Sequence, residues 1–187
     1  MPNPWDVPPL PTRGDDEAEW TFAGIGRVTS QWEVIEFEFS RLYSIFVGKP
    51  DEEMRGYGQG RIFRDRSEIL TKAAEEYFTG QPNQELEGQL HSLMSRAQGF
   101  SDRRNEVAHG IVFQLQRLTF FRQSVDADVR GKFQYGLVPP YHTLRKHGPD
   151  GLPLYAYAST HLLEFEEAMA WLEIDLANYR RQIVPDS

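Results

Sequence analysis

Apolar residues recur most regularly near the end of the chain. Leu162, Phe165, Met169, Leu172, Leu176, Tyr179 and Ile183 alternate steps of three and four, the spacing that keeps one face of an α-helix apolar. Ser159 or Thr160 is the expected N-cap of this helix, and Pro185 lies past its end. A second stripe, Val28, Trp32, Ile35, Phe39, Leu42 and Phe46, predicts a first helix from about Ala23 to Phe46, stopped by Gly48 and Pro50. Another helix is expected from about Arg61 to Phe78, carrying Ile62, Ile69, Ala73 and Tyr77 and ending at Gly80 and Pro82. The next begins near Asn83 and uses Leu86, Leu90, Leu93, Met94 and Ala97. Gly99 is a candidate break in it, and Ser101 a candidate cap for a restart that carries Arg104 to His109.

The period changes between about Ile111 and Ala158. Short runs of strand formers appear: Ile111-Val112-Phe113, Leu118-Thr119-Phe120-Phe121, Phe133-Gln134-Tyr135 and Leu154-Tyr155-Ala156-Tyr157. Pro139-Pro140 and His147-Gly148-Pro149-Asp150-Gly151 punctuate them, which predicts a long loop holding a hairpin or a three-stranded patch. At the other end, Pro2, Pro4, Pro8, Pro9 and Pro11 favour an extended arm over the first ~20 residues, acidic at Asp15, Asp16, Glu17 and Glu19. Trp5 and Leu10 are placed to pin that arm. The fold expected is mainly α: an antiparallel bundle of four to five helices with a small hairpin-like insertion before the last one. Residues 1–20 read as an arm and 21–187 as a single helical domain, with the insertion at about 111–158.

Composition adds bounds. The 187 residues suffice for one domain with a sizeable core, and 12 Phe, 8 Tyr and 4 Trp supply large side chains to fill it. No apolar run approaches the ~18 residues of a membrane span, and the first residues lack the basic start and apolar core of a secretory signal; a cytoplasmic protein is expected. The absence of cysteine excludes disulfides, thiolate metal sites and cysteine nucleophiles. A net charge of −8 argues against a surface that coats nucleic acid, while leaving room for a small basic pocket.

The chemistry concentrates at one place. On a helix, Asn105 and His109 lie within ~40° of each other, and Arg104 is ~140° from His109, with a side chain long enough to bend toward the same cleft. The imidazole exchanges protons near neutrality. The guanidinium fork suits phosphate oxygens, and the amide can orient either partner. Together they suit metal-free cleavage of a phosphodiester, with the imidazole moving a proton and the guanidinium holding charge on phosphorus.

The run Arg104-Asn105-Glu106-Val107-Ala108-His109-Gly110 resembles the signature of HEPN domains: an arginine, four to six residues, then a histidine, with a polar residue after the arginine. The resemblance implies a helical bundle and a homodimer in which two copies of the motif face each other across one cleft. In active members that cleft is a metal-independent ribonuclease site, often in toxin–antitoxin or phage-defence systems. By position, Arg104 and His109 take the catalytic roles and Asn105 supports them. An RNA substrate and an antitoxin-like partner protein follow from the same resemblance, with no cofactor and no metal. Other members serve only as interaction domains, so the alternative is a non-catalytic dimerisation or partner-binding domain.

Other candidates are weaker. Glu106 to His109 is a Glu-x-x-His, as in di-iron bundles, but Gly88, Pro139, Leu144 and Ala158 stand three before the other histidines, so no second copy exists. Gly24-Ile25-Gly26 has no preceding strand and no third glycine in place, and reads as a loose helix start. The Gly56 to Gly60 turn before Arg61, Arg64 and Arg66 reads as a hinge beside a solvated basic face rather than a phosphate cradle. Arg117, Arg122, Arg130 and Lys132, interleaved with Phe120, Phe121, Phe133 and Tyr135, could stack single-stranded RNA but fit a half-buried hairpin better. Glu33, Glu36 and Glu38 lack an acid/base partner, Glu164, Glu166 and Glu167 read as the wet side of the last helix, and Ser101 with His109 lacks a third catalytic member.

Overall fold

A computed structural model describes residues 3–49 and 53–184; Pro2, Pro50 and Pro185 lie outside them. The chain is mainly helical, as its periodicity predicts. Its helices are α1 (Ala18–Val47), the single turn α2 (Glu53–Gly56), α3 (Phe63–Gly80), α4 (Gln84–Ala108), α5 (Thr119–Ser124) and α6 (Ser159–Ile183). Two short strands, β1 (Ile111–Gln114) and β2 (Tyr135–Val138), precede the last helix and pair antiparallel, with Ile111 opposite Val138 and Gln114 opposite Tyr135. Among the described residues no helix is long and apolar enough to cross a membrane. The chain forms two compact units, residues 1–30 with 102–168 and residues 31–101 with 169–187, so α1, α4 and α6 each contribute to both.

In the second unit the expected stripes of α1 and α6 are buried: Trp32, Ile35, Phe39, Leu42 and Phe46 on one, Met169, Leu172, Leu176 and Tyr179 on the other. Gln31 donates to Glu173 at 2.7 Å and Arg180 to Glu38 at 3.1 Å. The two contacts follow the same order on both helices, so α1 and α6 run alongside each other in one direction. The face of α3 differs from the expectation. Phe63, Leu70, Ala73, Ala74 and Phe78 are buried, one residue on from Ile62, Ile69 and Tyr77, and Ile62 is exposed. The rotation is set by Phe63, whose ring lies edge-on to Trp32 at 5.0 Å and tilted against Phe39 at 5.9 Å. Helix α4 is unbroken: Gly99 stays helical and Ser101 is buried within it instead of capping a restart. Its cap is Asn83, whose Oδ1 accepts the Leu86 N–H at 3.1 Å.

The expected hinge at residues 56–60 is ordered. Tyr57 to Gln59 form a 3₁₀ turn, and Tyr57 is buried with its hydroxyl donating to Glu36 Oε2 at 2.6 Å. Glu36 also accepts from Trp32 Nε1 at 3.1 Å and, in a fork, from Arg66 Nε at 3.0 Å and Nη2 at 2.5 Å. Burial and then the adjacent carboxylate push the Tyr57 phenol well above its ordinary value. Arg66 is therefore spent on a half-buried ion pair, and its third nitrogen on Gly60 O.

The first unit holds the arm and the insertion. Leu115, Phe120, Phe121, Val125, Val129, Val138 and Ala156 form its buried cluster, each large apolar side chain contributing roughly 1.5–3 kcal/mol. The run at 118–121, expected as a strand, is the start of α5. A strand would send Phe120 and Phe121 to opposite faces, whereas both are buried in one cluster. Only Tyr157 of the 154–157 run pairs, exchanging backbone bonds with Leu137 at 2.8 and 2.9 Å. Phe133 stays outside β2 and is exposed.

The arm closes onto this sheet. Asp15 exchanges backbone bonds with Tyr135 at 2.8 and 2.7 Å, and Thr12 O accepts from Asp126 N at 3.0 Å. The buried Asp15 carboxylate accepts from the Thr21 hydroxyl at 2.5 Å, the Ser159 hydroxyl at 2.6 Å and the Ser159 N–H at 3.0 Å. Ser159, expected as the N-cap, is the first helical residue. An acidic side chain from the arm does the capping instead, at the end of α6 where the helix dipole favours negative charge. Asp15→Ala strands two hydroxyls and an amide in a buried place. We expect it to lower unfolding free energy by about 3 kcal/mol, measured from urea midpoints; a loss below ~0.5 kcal/mol would show that this junction does not hold the unit.

Candidate functional site

Arg104, Asn105 and His109 sit at the end of α4. The first two occupy its closing turns, and His109 is the residue after Ala108, tied back by its N–H to Asn105 O at 3.2 Å. Asn105 and His109 are exposed and Arg104 is partly buried. The Arg104 guanidinium donates through Nη1 to Asn105 Oδ1 at 3.3 Å. The helix thus places an amide and an imidazole one turn apart, with a guanidinium joined to the amide.

What fixes this end is the residue between them. Glu106 turns inward, its side chain only 14% exposed. A carboxylate in the last turn opposes the helix dipole, and its partners are correspondingly many. Oε2 accepts from Arg103 Nη1 one turn back and from the Tyr157 hydroxyl at 3.2 Å; Oε1 lies 3.6 Å from Lys146 Nζ. The same Lys146 ammonium sits 5.5 Å over the Tyr155 ring. Burial, and then the Glu106 charge, push both phenols, Tyr155 and Tyr157, above their ordinary value, so they stay protonated. Gly110 completes the fixation: a Cβ there would fall 2.5 Å from Leu137 Cδ1, so any other residue would displace the buried Leu137 side chain.

Arg103, rather than Arg104, lines the cavity beside this cluster. The cavity has a volume of about 520 Å³ and is bounded by Arg103, Tyr157, His161 and Phe165 and by the arm from Asn3 to Pro9. His161 Nδ1 accepts the Ala158 N–H at 3.2 Å, a reciprocal cap at the start of α6 that leaves Nε2 to carry the ring proton in the neutral form.

Several sequence candidates resolve into other roles. Glu106 and His109 do not share a site: the carboxylate is engaged by Arg103, Tyr157 and Lys146, and the imidazole is exposed beyond the helix. Among the described residues, no three His, Asp or Glu side chains gather where they could hold a metal ion. The basic-aromatic run is no stacking platform, because Phe120 and Phe121 are core residues. Glu36 and Glu38, unpartnered in the sequence reading, are buried and bound, Glu38 by Arg41 and Arg180. Sequence reasoning passed over Arg103, Lys146, Tyr157 and His161. Only the Arg103–Glu106 spacing was a readable signal; the Tyr157 contact joins residues 51 apart. No family model matches the chain, and neither does any curated protein or solved structure.

Burial lowers the His161 imidazole below its ordinary value, outweighing the carboxylates of Glu164 and Asp15, which raise it. The folded protein therefore binds this proton less readily than the unfolded chain, and the stability tied to the neutral ring is full above pH ~6.5 and declines as pH falls below it. The thermal midpoint should drop more steeply from pH 7 to pH 5 in the wild type than in His161→Gln, which keeps a side-chain acceptor for Ala158. Parallel slopes in calorimetry would remove His161 from the acid response.

Proposed function

We propose that the end of α4 is a metal-independent ribonuclease site. The observation that carries this reading is the Arg104–Asn105 hydrogen bond one helical turn before an exposed His109, on a helix end locked by Glu106. The HEPN-like run of residues supports it. In this reading His109 takes the proton of a ribose 2′-hydroxyl, and the 2′-oxygen forms a bond to phosphorus. Arg104 holds the charge on the phosphoryl oxygens of the pentacoordinate state. The bond from phosphorus to the 5′-oxygen breaks, and that oxygen leaves with a proton from an imidazolium, of this copy or of a second one facing it. The products are a 2′,3′-cyclic phosphate and a 5′-hydroxyl. Asn105 orients the guanidinium. A homodimer, a toxin or phage-defence role and an antitoxin-like partner belong to the same proposal.

Purified protein should cut single-stranded RNA in the presence of EDTA, leaving cyclic-phosphate ends. Arg104→Ala and His109→Ala should each slow cleavage by a factor of ~100 or more. Cleavage that survives both substitutions overturns the assignment.

A second reading, a non-catalytic dimerising or partner-binding domain, is favoured by the apolar side chains that α6 leaves in water, Trp171 at 65% and Ile174 at 46% exposure. It expects sedimentation equilibrium to detect association that Trp171→Ser weakens about tenfold. An unchanged monomer–dimer balance rejects it.

A further inference from the structure

Across Gly110 from the motif, β1 opens with Ile111, and Ile111 forms one wall of a small cleft completed by Phe113, Val138, Pro139, Tyr141 and His147. Its volume is about 90 Å³. A cavity of ~150 Å³ encloses a benzene ring, so this cleft seats the edge of a ring and leaves the rest of it outside. Its walls are apolar save for two groups. Tyr141 is 80% exposed, and its ring is tilted against that of His147 with centroids 5.6 Å apart. An aromatic so exposed adds little to the core. His147 Nδ1 lies 3.1 Å from Thr143 O; a carbonyl only accepts, so Nδ1 carries the proton and the neutral ring keeps Nε2 as an acceptor. Such a cleft suits a flat ring with an N–H group, able to stack on Tyr141 and donate to His147.

A cation beside one wall suits a phosphate-bearing ligand. Arg117 holds its guanidinium 5.9 Å over the Phe113 ring, and Phe113 lines the cleft. From His109 to Ile111 the extended chain spans at most ~7 Å, about the reach from a backbone phosphate to the base beside it.

We propose that this cleft is a nucleobase subsite that receives a pyrimidine of single-stranded RNA next to the phosphate held by Arg104 and His109, and so selects where the chain is cut. The proposal rests on the ribonuclease reading above. The test uses a random-sequence single-stranded RNA with EDTA and sequencing of the cut ends. The wild type should cut next to pyrimidines, and Tyr141→Ala and His147→Phe should lower that preference about tenfold while cutting continues. Tyr141 is a surface residue, so Tyr141→Ala should keep the wild-type melting curve. Cutting without base preference, or a preference both variants retain, overturns the subsite and leaves the ribonuclease standing. If the wild type cuts no RNA, that reading fails on its own and binding decides the cleft. Cytidine 3′-monophosphate should then shift the His147 ring signals of ¹⁵N-histidine-labelled protein saturably, and Tyr141→Ala should abolish the shift. No shift, or the same shift with inorganic phosphate or adenosine 3′-monophosphate, overturns the proposal.

Discussion

The end of α4 depends on where the Glu106 carboxylate goes. A negative charge in the last turn of a helix meets the negative end of the dipole, and a mostly buried carboxylate adds a cost of desolvation. Arg103, Lys146 and Tyr157 offset both. Their geometry has two consequences. The helix stays regular to Ala108, and the chain enters β1 past Gly110 along a path where a Cβ would displace the Leu137 side chain. Arg104, Asn105 and His109 thus borrow their rigidity from a residue among them that takes no part in the proposed chemistry. The end of α4 thus presents an exposed amide and imidazole and a partly buried guanidinium on a backbone held at both sides of Glu106.

Buried carboxylates recur as the joints of the protein. Asp15 gathers Thr21 and Ser159, and Glu36 gathers Trp32, Tyr57 and Arg66. Each draws donors from segments remote in sequence, and each would be costly to bury if any donor were missing. Apolar packing alone allows a helix to rotate by a fraction of a turn at small cost; a carboxylate with three donors does not. The one-residue rotation of α3, with Phe63 against Trp32 and Arg66 on Glu36, reflects that difference.

Charge is unevenly divided along the chain. The strongly acidic whole contains a stretch, 102–158, that is positive on balance, and the motif, the Glu106 cluster and the cleft beside Ile111 all fall inside it. An acidic exterior limits non-specific association with nucleic acid. In the fold the arm brings its own acids to this stretch, and the unit they form has ten Lys and Arg against thirteen Asp and Glu.

The helical stripes were legible because a helix stripe is a local fact: Trp32, Phe39, Leu172 and Leu176 announce their face by spacing alone. That Arg104, Asn105 and His109 fall together at a helix end was legible for the same reason, since they are neighbours within two turns. Short apolar runs were not. Leu118 to Phe121 carry strand-forming residues yet become a helix, because two adjacent phenylalanines both had to enter one core. Only the tertiary structure decided that Glu106 would be buried, that Arg103 rather than Arg104 would line a cavity, and that an aspartate of the arm would cap the last helix. Local spacing sets which residues can share a face; which polar group is desolvated depends on donors brought from distant segments, and a sequence does not display those distances.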